Sequence, residues 1–97
     1  MSVKEKKIND ICKVFKALSN PVRLKILSLI GETKRPLHIK AVARILKMDY
    51  AAVYRHVEVL KEAALLQIYE VWRSRVLSPL HRDDVEKLLE FAEKIKP

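Results

Sequence analysis

Three arginines stand beside aromatic residues in the second half of the chain. Arg55 follows Tyr50 and Tyr54, and Arg73 and Arg75 follow Trp72. A guanidinium is a planar fork of N–H donors, able to pair in bidentate fashion with a guanine edge or a phosphate. Tyr50 and Tyr54 carry hydroxyls that can reach a phosphate or a base. Ala51 and Ala52 are small enough for close approach, and either can touch a thymine methyl. Other chemistries are poorly served. His38, His56 and His81 show no i, i+3 or i+4 pairing, and one cysteine, Cys12, excludes an intrachain disulfide and a multi-cysteine zinc site. The single glycine is too few for a glycine-rich phosphate or dinucleotide loop. Serine, histidine and carboxylates occur without a nucleophile–base arrangement, so an enzyme is not expected.

The net charge of +8 points to an anionic partner, nucleic acid first and an acidic membrane surface second. The charge is unevenly placed. Residues 1–75 hold 16 basic and 7 acidic side chains, whereas residues 76–97 hold 4 and 5. The C-terminal segment is therefore not the anion-binding part. No run approaches the roughly 18 apolar residues of a membrane span, and Met1 to Asn9 is too charged for a signal core. The reading is a cytoplasmic protein with no membrane partner. Ninety-seven residues make one domain, spanning 1–97, with a core modest enough that a homodimer sharing apolar surface is plausible. Hydrophobic residues at 49% and charged residues at 33% suit a globular chain. The scarcity of Asn and Gln beside abundant Lys, Glu, Ile and Val resembles thermophile composition.

The elements that would position these residues are mainly helical. Ile8, Ile11, Cys12, Phe15 and Leu18 recur along one helix face over residues 4–18. Asn20 and Pro21 open a second helix, with Val22, Ile26, Leu29 and Ile30 inward and Gly31 as its stop, free to take positive φ. Leu37–Lys47 is a third, short helix. After a turn of Lys47, Met48 and Asp49, with Asp49 as N-cap, a fourth runs to about Ala63 on Val53, Val57 and Leu60. Leu66–Val71 and Val76–Leu80 read as a hairpin around Trp72, Arg73, Ser74 and Arg75. Asp83 and Glu86 have capping-box spacing for a last helix striped by Val85, Leu88, Leu89, Ala92 and Ile95.

Two short helices joined by a three-residue turn suggest a helix-turn-helix, whose second helix lies in a DNA major groove. The plainer alternative is an amphipathic helix with a solvated arginine. The hairpin shifts the balance, because Arg73 and Arg75 with Trp72 fit a wing against the DNA backbone or minor groove. Trp72 could equally pack under the hairpin. Arg35, Lys40, Arg44 and Lys47 are candidate contacts to the DNA backbone.

The chain resembles the ArsR-like winged helix-turn-helix repressors. FKALSNPVRLKILSLI is similar to their opening helices, LHIKAVARILKMDYAAVYRHVEVLKEAALL to their helix-turn-helix, and IYEVWRSRVLSPL sits at their wing. The resemblance implies a mainly α fold with a small β-hairpin: helix-turn-helix at about 38–63, wing at about 66–80, and dimerisation helices at about 4–18 and 83–96. It implies a homodimer repressing at a palindromic operator, with Tyr50, Ala51, Ala52, Tyr54 and Arg55 facing double-stranded DNA. Ile8, Ile11, Cys12 and Phe15 would meet Leu88, Leu89, Ala92 and Ile95 in the dimer. His56 matches a family histidine that packs or supports the helix. Two departures remove the family's metal sites: PLHIKAVARIL lacks cysteine and DDVEKLLEFAEKI lacks histidine. No metal or cofactor is expected. His38 stands where a Ser or Thr cap is usual. Ala64 replaces a helix-ending glycine, at about 1 kcal/mol if it must turn left-handed.

Cys12 reads as a small buried hydrophobe at the dimer interface, with a Cys12–Cys12 disulfide across the twofold axis and a redox switch as sharper alternatives. Two other functions stay open: a sequence-independent architectural DNA-binding protein, and a winged-helix protein-interaction module.

Overall fold

The computed structural model describes residues 4–96, so residues 1–3 and Pro97 of the expected 1–97 domain lie outside it. The order is α1 (Glu5–Leu18), α2 (Pro21–Glu32), β1 (Leu37–His38), α3 (Ile39–Leu46), α4 (Tyr50–Glu62), β2 (Leu66–Val71), β3 (Ser74–Pro79) and α5 (Arg82–Ile95). The fold is a winged helix-turn-helix: mainly helical, with a small antiparallel sheet in the order β1-β3-β2.

The core is one cluster in which Ile26 and Ile30 of α2, Val42 of α3, and Val53, Val57 and Leu60 of α4 meet Leu66 and Leu77 of the hairpin. Of these, Ile26, Ile30, Val53, Val57 and Leu60 are positions expected from the helical stripes. Asn20 opens α2 as expected, its Oδ1 accepting from the N–H groups of Val22 and Arg23 at 2.9 and 3.1 Å.

Several local readings are corrected. Gly31 does not stop α2 or take positive φ; the helix continues to Glu32 and ends at Thr33 in extended conformation. Leu37 and His38 are strand rather than helix, pairing with Leu77 and Val76. Two residues are too few to show a period, and the pairing gives β3 a second hydrogen-bonded neighbour. Asp49 holds the N-cap position of α4, but its side chain makes no capping bond. α5 starts one residue before Asp83, with left-handed His81 at the cap. Asp83 and Asp84 therefore act in its first turn, where negative charge complements the helix dipole. The hairpin loop is only Trp72 and Arg73, with Ser74 and Arg75 inside β3.

Ala64 has φ 60°, as its place at the missing glycine required. Its N–H reaches Lys61 O at 2.9 Å and that of Leu65 reaches Leu60 O at 3.0 Å, satisfying carbonyls at the end of α4.

The end helices are packed differently. In α1 only Ala17 and Leu18 are buried, while Ile8, Ile11 and Phe15 are 46%, 47% and 53% exposed. α5 has no buried residue; Val85 and Leu88 touch the core edge, whereas Phe91 and Ile95 are exposed. Cys12 is exposed, which corrects its reading as a buried hydrophobe so far as this one chain can bury it. No described helix is long and apolar enough to cross a membrane.

Candidate nucleic-acid interface

The turn between α3 and α4 is closed by backbone bonds. Lys47 is left-handed at φ 55°, its N–H donates to Arg44 O at 3.2 Å, and that of Met48 donates to Ala43 O at 3.0 Å. A non-glycine residue in this region costs about 1 kcal/mol, and the two bonds help offset it. The turn sets α4 so that Val53, Val57 and Leu60 face the core. The opposite side then carries Ala51 and Arg55, both exposed, flanked by exposed Tyr50 and half-buried Ala52 and by Tyr54, which packs partly against the core.

A cleft of about 560 Å³ lies between α3, the start of α4 and the wing, with Lys40, Arg44, Arg73 and Arg75 in its lining and Glu70 as its one carboxylate. Of the expected backbone contacts, the cleft brings together Lys40 and Arg44. Lys47 sits at the turn and Arg35 in the loop after α2, both exposed but outside it. Among the described residues there is one ion pair, Arg75 Nε to Glu70 Oε1 at 3.8 Å. Arg35, Lys40, Arg44, Lys47, Arg55 and Arg73 thus present their charge to solvent without a carboxylate partner.

Trp72 is 92% exposed at the wing tip, which decides against its packing under the hairpin. Its φ of 59° has the sign that tight hairpin turns require, here without glycine. Arg75 is not at the tip. Its guanidinium lies 4.9 Å from the centre of the Tyr54 ring, and Nη1 donates to Tyr50 Oη at 3.4 Å. The two tyrosines stack with centroids 6.1 Å apart. The Glu58 carboxylate, four residues further along α4, raises the Tyr54 phenol above its ordinary value.

Behind the recognition surface, Arg23 ties three elements. Its Nε donates to Ala17 O at 2.6 Å, Nη2 to Lys16 O at 3.1 Å, and Nη1 lies 3.2 Å from His56 Nδ1. The end of α1 is thereby joined to the middle of α4. His56 has the supporting position expected of it; burial, then Arg23 and Arg55, lower its pKa because the imidazolium is disfavoured there. Arg23 was missed in the sequence. Its only signal is its place three residues past the Asn20 cap. Among the described residues no group of three or more His, Cys, Asp or Glu could hold a metal ion.

A tight helix-turn-helix with a cation-lined wing beside it defines a winged-helix domain, and comparison with known proteins supports this. The model of a helix-turn-helix domain family matches residues 18–68. An uncharacterized HTH-type transcriptional regulator of Methanocaldococcus jannaschii is 38% identical over 61 residues, covering 63% of this chain and 62% of that protein. The match thus spans less than two-thirds of the relative's length. Among solved structures, the homodimeric winged helix-turn-helix DNA-binding domain of a possible ArsR-family regulator from Mycobacterium bovis superposes with a TM-score of 0.78 at 20% identity, over 98% of this chain and 88% of that one. The transcriptional repressor BigR of Xylella fastidiosa gives 0.73 at 17%, over 96% and 92%. The chain belongs to the helix-turn-helix domain family, and its fold is that of the ArsR-like winged helices.

Proposed function

We propose that this protein is a sequence-specific regulator of transcription that binds double-stranded DNA as a homodimer, most simply as a repressor that occludes a pseudo-palindromic site. The observation that carries the reading is a set of cations without a carboxylate partner: Lys40, Arg44 and Arg73 gathered in one cleft, and Arg55 exposed on α4. Arg55 reads a base in the major groove, with Ala51 and Ala52 giving the backbone room to approach. Lys40, Arg44 and Arg73 neutralise phosphates, with Arg35 and Lys47 at the margins, and Trp72 extends the wing along the adjacent backbone or minor groove. The exposed apolar residues of α1 and α5 support the dimer. Ile8, Ile11, Cys12 and Phe15 of one copy meet Leu88, Leu89, Ala92 and Ile95 of either copy. A neighbouring fold that is itself homodimeric favours the same assembly. Twofold symmetry sets two copies of α4 about 34 Å apart, in successive major grooves.

Selection of bound duplexes from a random pool, read by sequencing, tests the proposal. The expected result is an inverted repeat with half-sites one helical turn apart. Binding without enrichment of any sequence would instead indicate an architectural DNA-binding protein, and no binding at physiological salt a protein-interaction module.

A further inference from the structure

We infer that Arg75 is a positioning residue that locks the wing onto the recognition helix through Tyr54 and Tyr50, and is not itself a phosphate contact. The inference deepens the DNA-binding reading and rests on it for its consequence, though not for its geometry. β1 reaches only Leu77 and Val76 of β3. Beyond them the hairpin from Glu70 to Arg75 is a two-stranded ribbon, a structure of marginal stability on its own. Val71 and Trp72 on that ribbon are 57% and 92% exposed, so apolar burial does little to hold it.

Arg75 supplies the missing hold. It leaves the ribbon opposite Glu70, its partner in strand register and in the ion pair. It then spans to α4, covering the Tyr54 ring and donating to the Tyr50 hydroxyl. The guanidinium thus has a carboxylate, a ring face and a hydroxyl around it, whereas Arg73 two residues away appears in no hydrogen bond or ion pair among the described residues. The two wing arginines have different work: Arg73 meets the polyanion, and Arg75 sets the distance between the bases read by α4 and the backbone touched at Trp72. Tyr54, its ring covered, is part of the lock rather than a reader of bases.

Trp72 is the only tryptophan, so its fluorescence anisotropy reports wing motion without DNA. Arg75→Ala and Tyr54→Leu should each lower the anisotropy, while Tyr54→Phe, which keeps the ring face, should leave it near the unmodified value. On a selected duplex, Arg75→Ala should weaken binding about two- to fivefold, the size of one exposed cation–π contact. The slope of log affinity against log salt should not change, whereas Arg73→Ala should reduce its magnitude by about 1. Unchanged anisotropy in both Arg75→Ala and Tyr54→Leu would overturn the lock, as would a slope that falls equally with Arg75→Ala and Arg73→Ala. The anisotropy arm needs no DNA, so failure of the lock and failure of the DNA-binding reading are separate results.

Discussion

The middle of the chain and its two ends leave opposite kinds of surface unsatisfied. From α2 to β3 the apolar side chains converge on Ile26, Val53, Val57 and Leu60, each 0% exposed, and the outward charge is predominantly positive, most of it without a carboxylate partner. In α1 and α5 the charges are mixed and the apolar stripe is left in water, with Phe15 at 53%, Phe91 at 59% and Ile95 at 82% exposed. A polyanion satisfies the first surface; only another apolar face satisfies the second. The acidic lean after residue 75 fits this division, because it gives α5 no attraction for a polyanion. Arg23 couples the two regions, since one side chain grips both the last turn of α1 and His56 of α4.

Charge placed on the apolar ends should have the largest effect. Ile11→Glu with Phe15→Glu should convert the protein to monomer in sedimentation with its helical circular dichroism retained. Loss of the linked second half should lower affinity for an inverted repeat by about 10²–10⁴-fold. A dimer that persists would break the division of labour between ends and middle. Arg55→Ala should cost about 1–3 kcal/mol at the cognate site and relax preference at one base position. Equal weakening on all sequences would make Arg55 a phosphate contact. Ala64→Gly should raise thermal stability by about 0.5–1 kcal/mol, because glycine takes φ 60° without a Cβ penalty.

The smallest effect concerns the coupling. His56 has a pKa lowered in the folded state, so the unfolded chain binds the extra proton first. Its contribution to stability is complete above the ordinary histidine pKa of about 6.5 and is lost as pH falls below it through the folded value. Thermal unfolding followed from pH 8 to pH 5 should therefore show the native protein losing ground against His56→Gln on acidification. Parallel curves would place His56 outside the coupling.

The sequence displays what is periodic and hides what is made by distant contacts. The stripes of α2 and α4 and the Asn20 cap are legible because each is written within a dozen residues. The Lys47–Met48–Asp49 turn and the strain at Ala64 are legible for the same reason. Leu37 and His38 form a strand only because Val76 and Leu77 offer an edge, which no local pattern records. Gly31 looked like a stop because glycine usually is one, yet neighbouring Ile30 is drawn into the core and the helix is carried past it. In the site, Arg55 and the cleft cations could be listed from charge and spacing. The separate fates of Arg73 and Arg75 could not, because they depend on the short loop that puts Arg75 within β3 and over Tyr54. Arg23 was invisible for the same reason: its partners lie 6, 7 and 33 residues away.

The most direct test of the central claim is the mass and affinity of the complex formed on a selected inverted repeat, compared with the same duplex after one half-site is scrambled. If apolar ends join two copies whose basic middles meet DNA, the intact site binds two chains per duplex cooperatively, and scrambling one half lowers affinity far more than twofold. One chain bound to each half-site independently, with the remaining half losing nothing when its twin is destroyed, would contradict it.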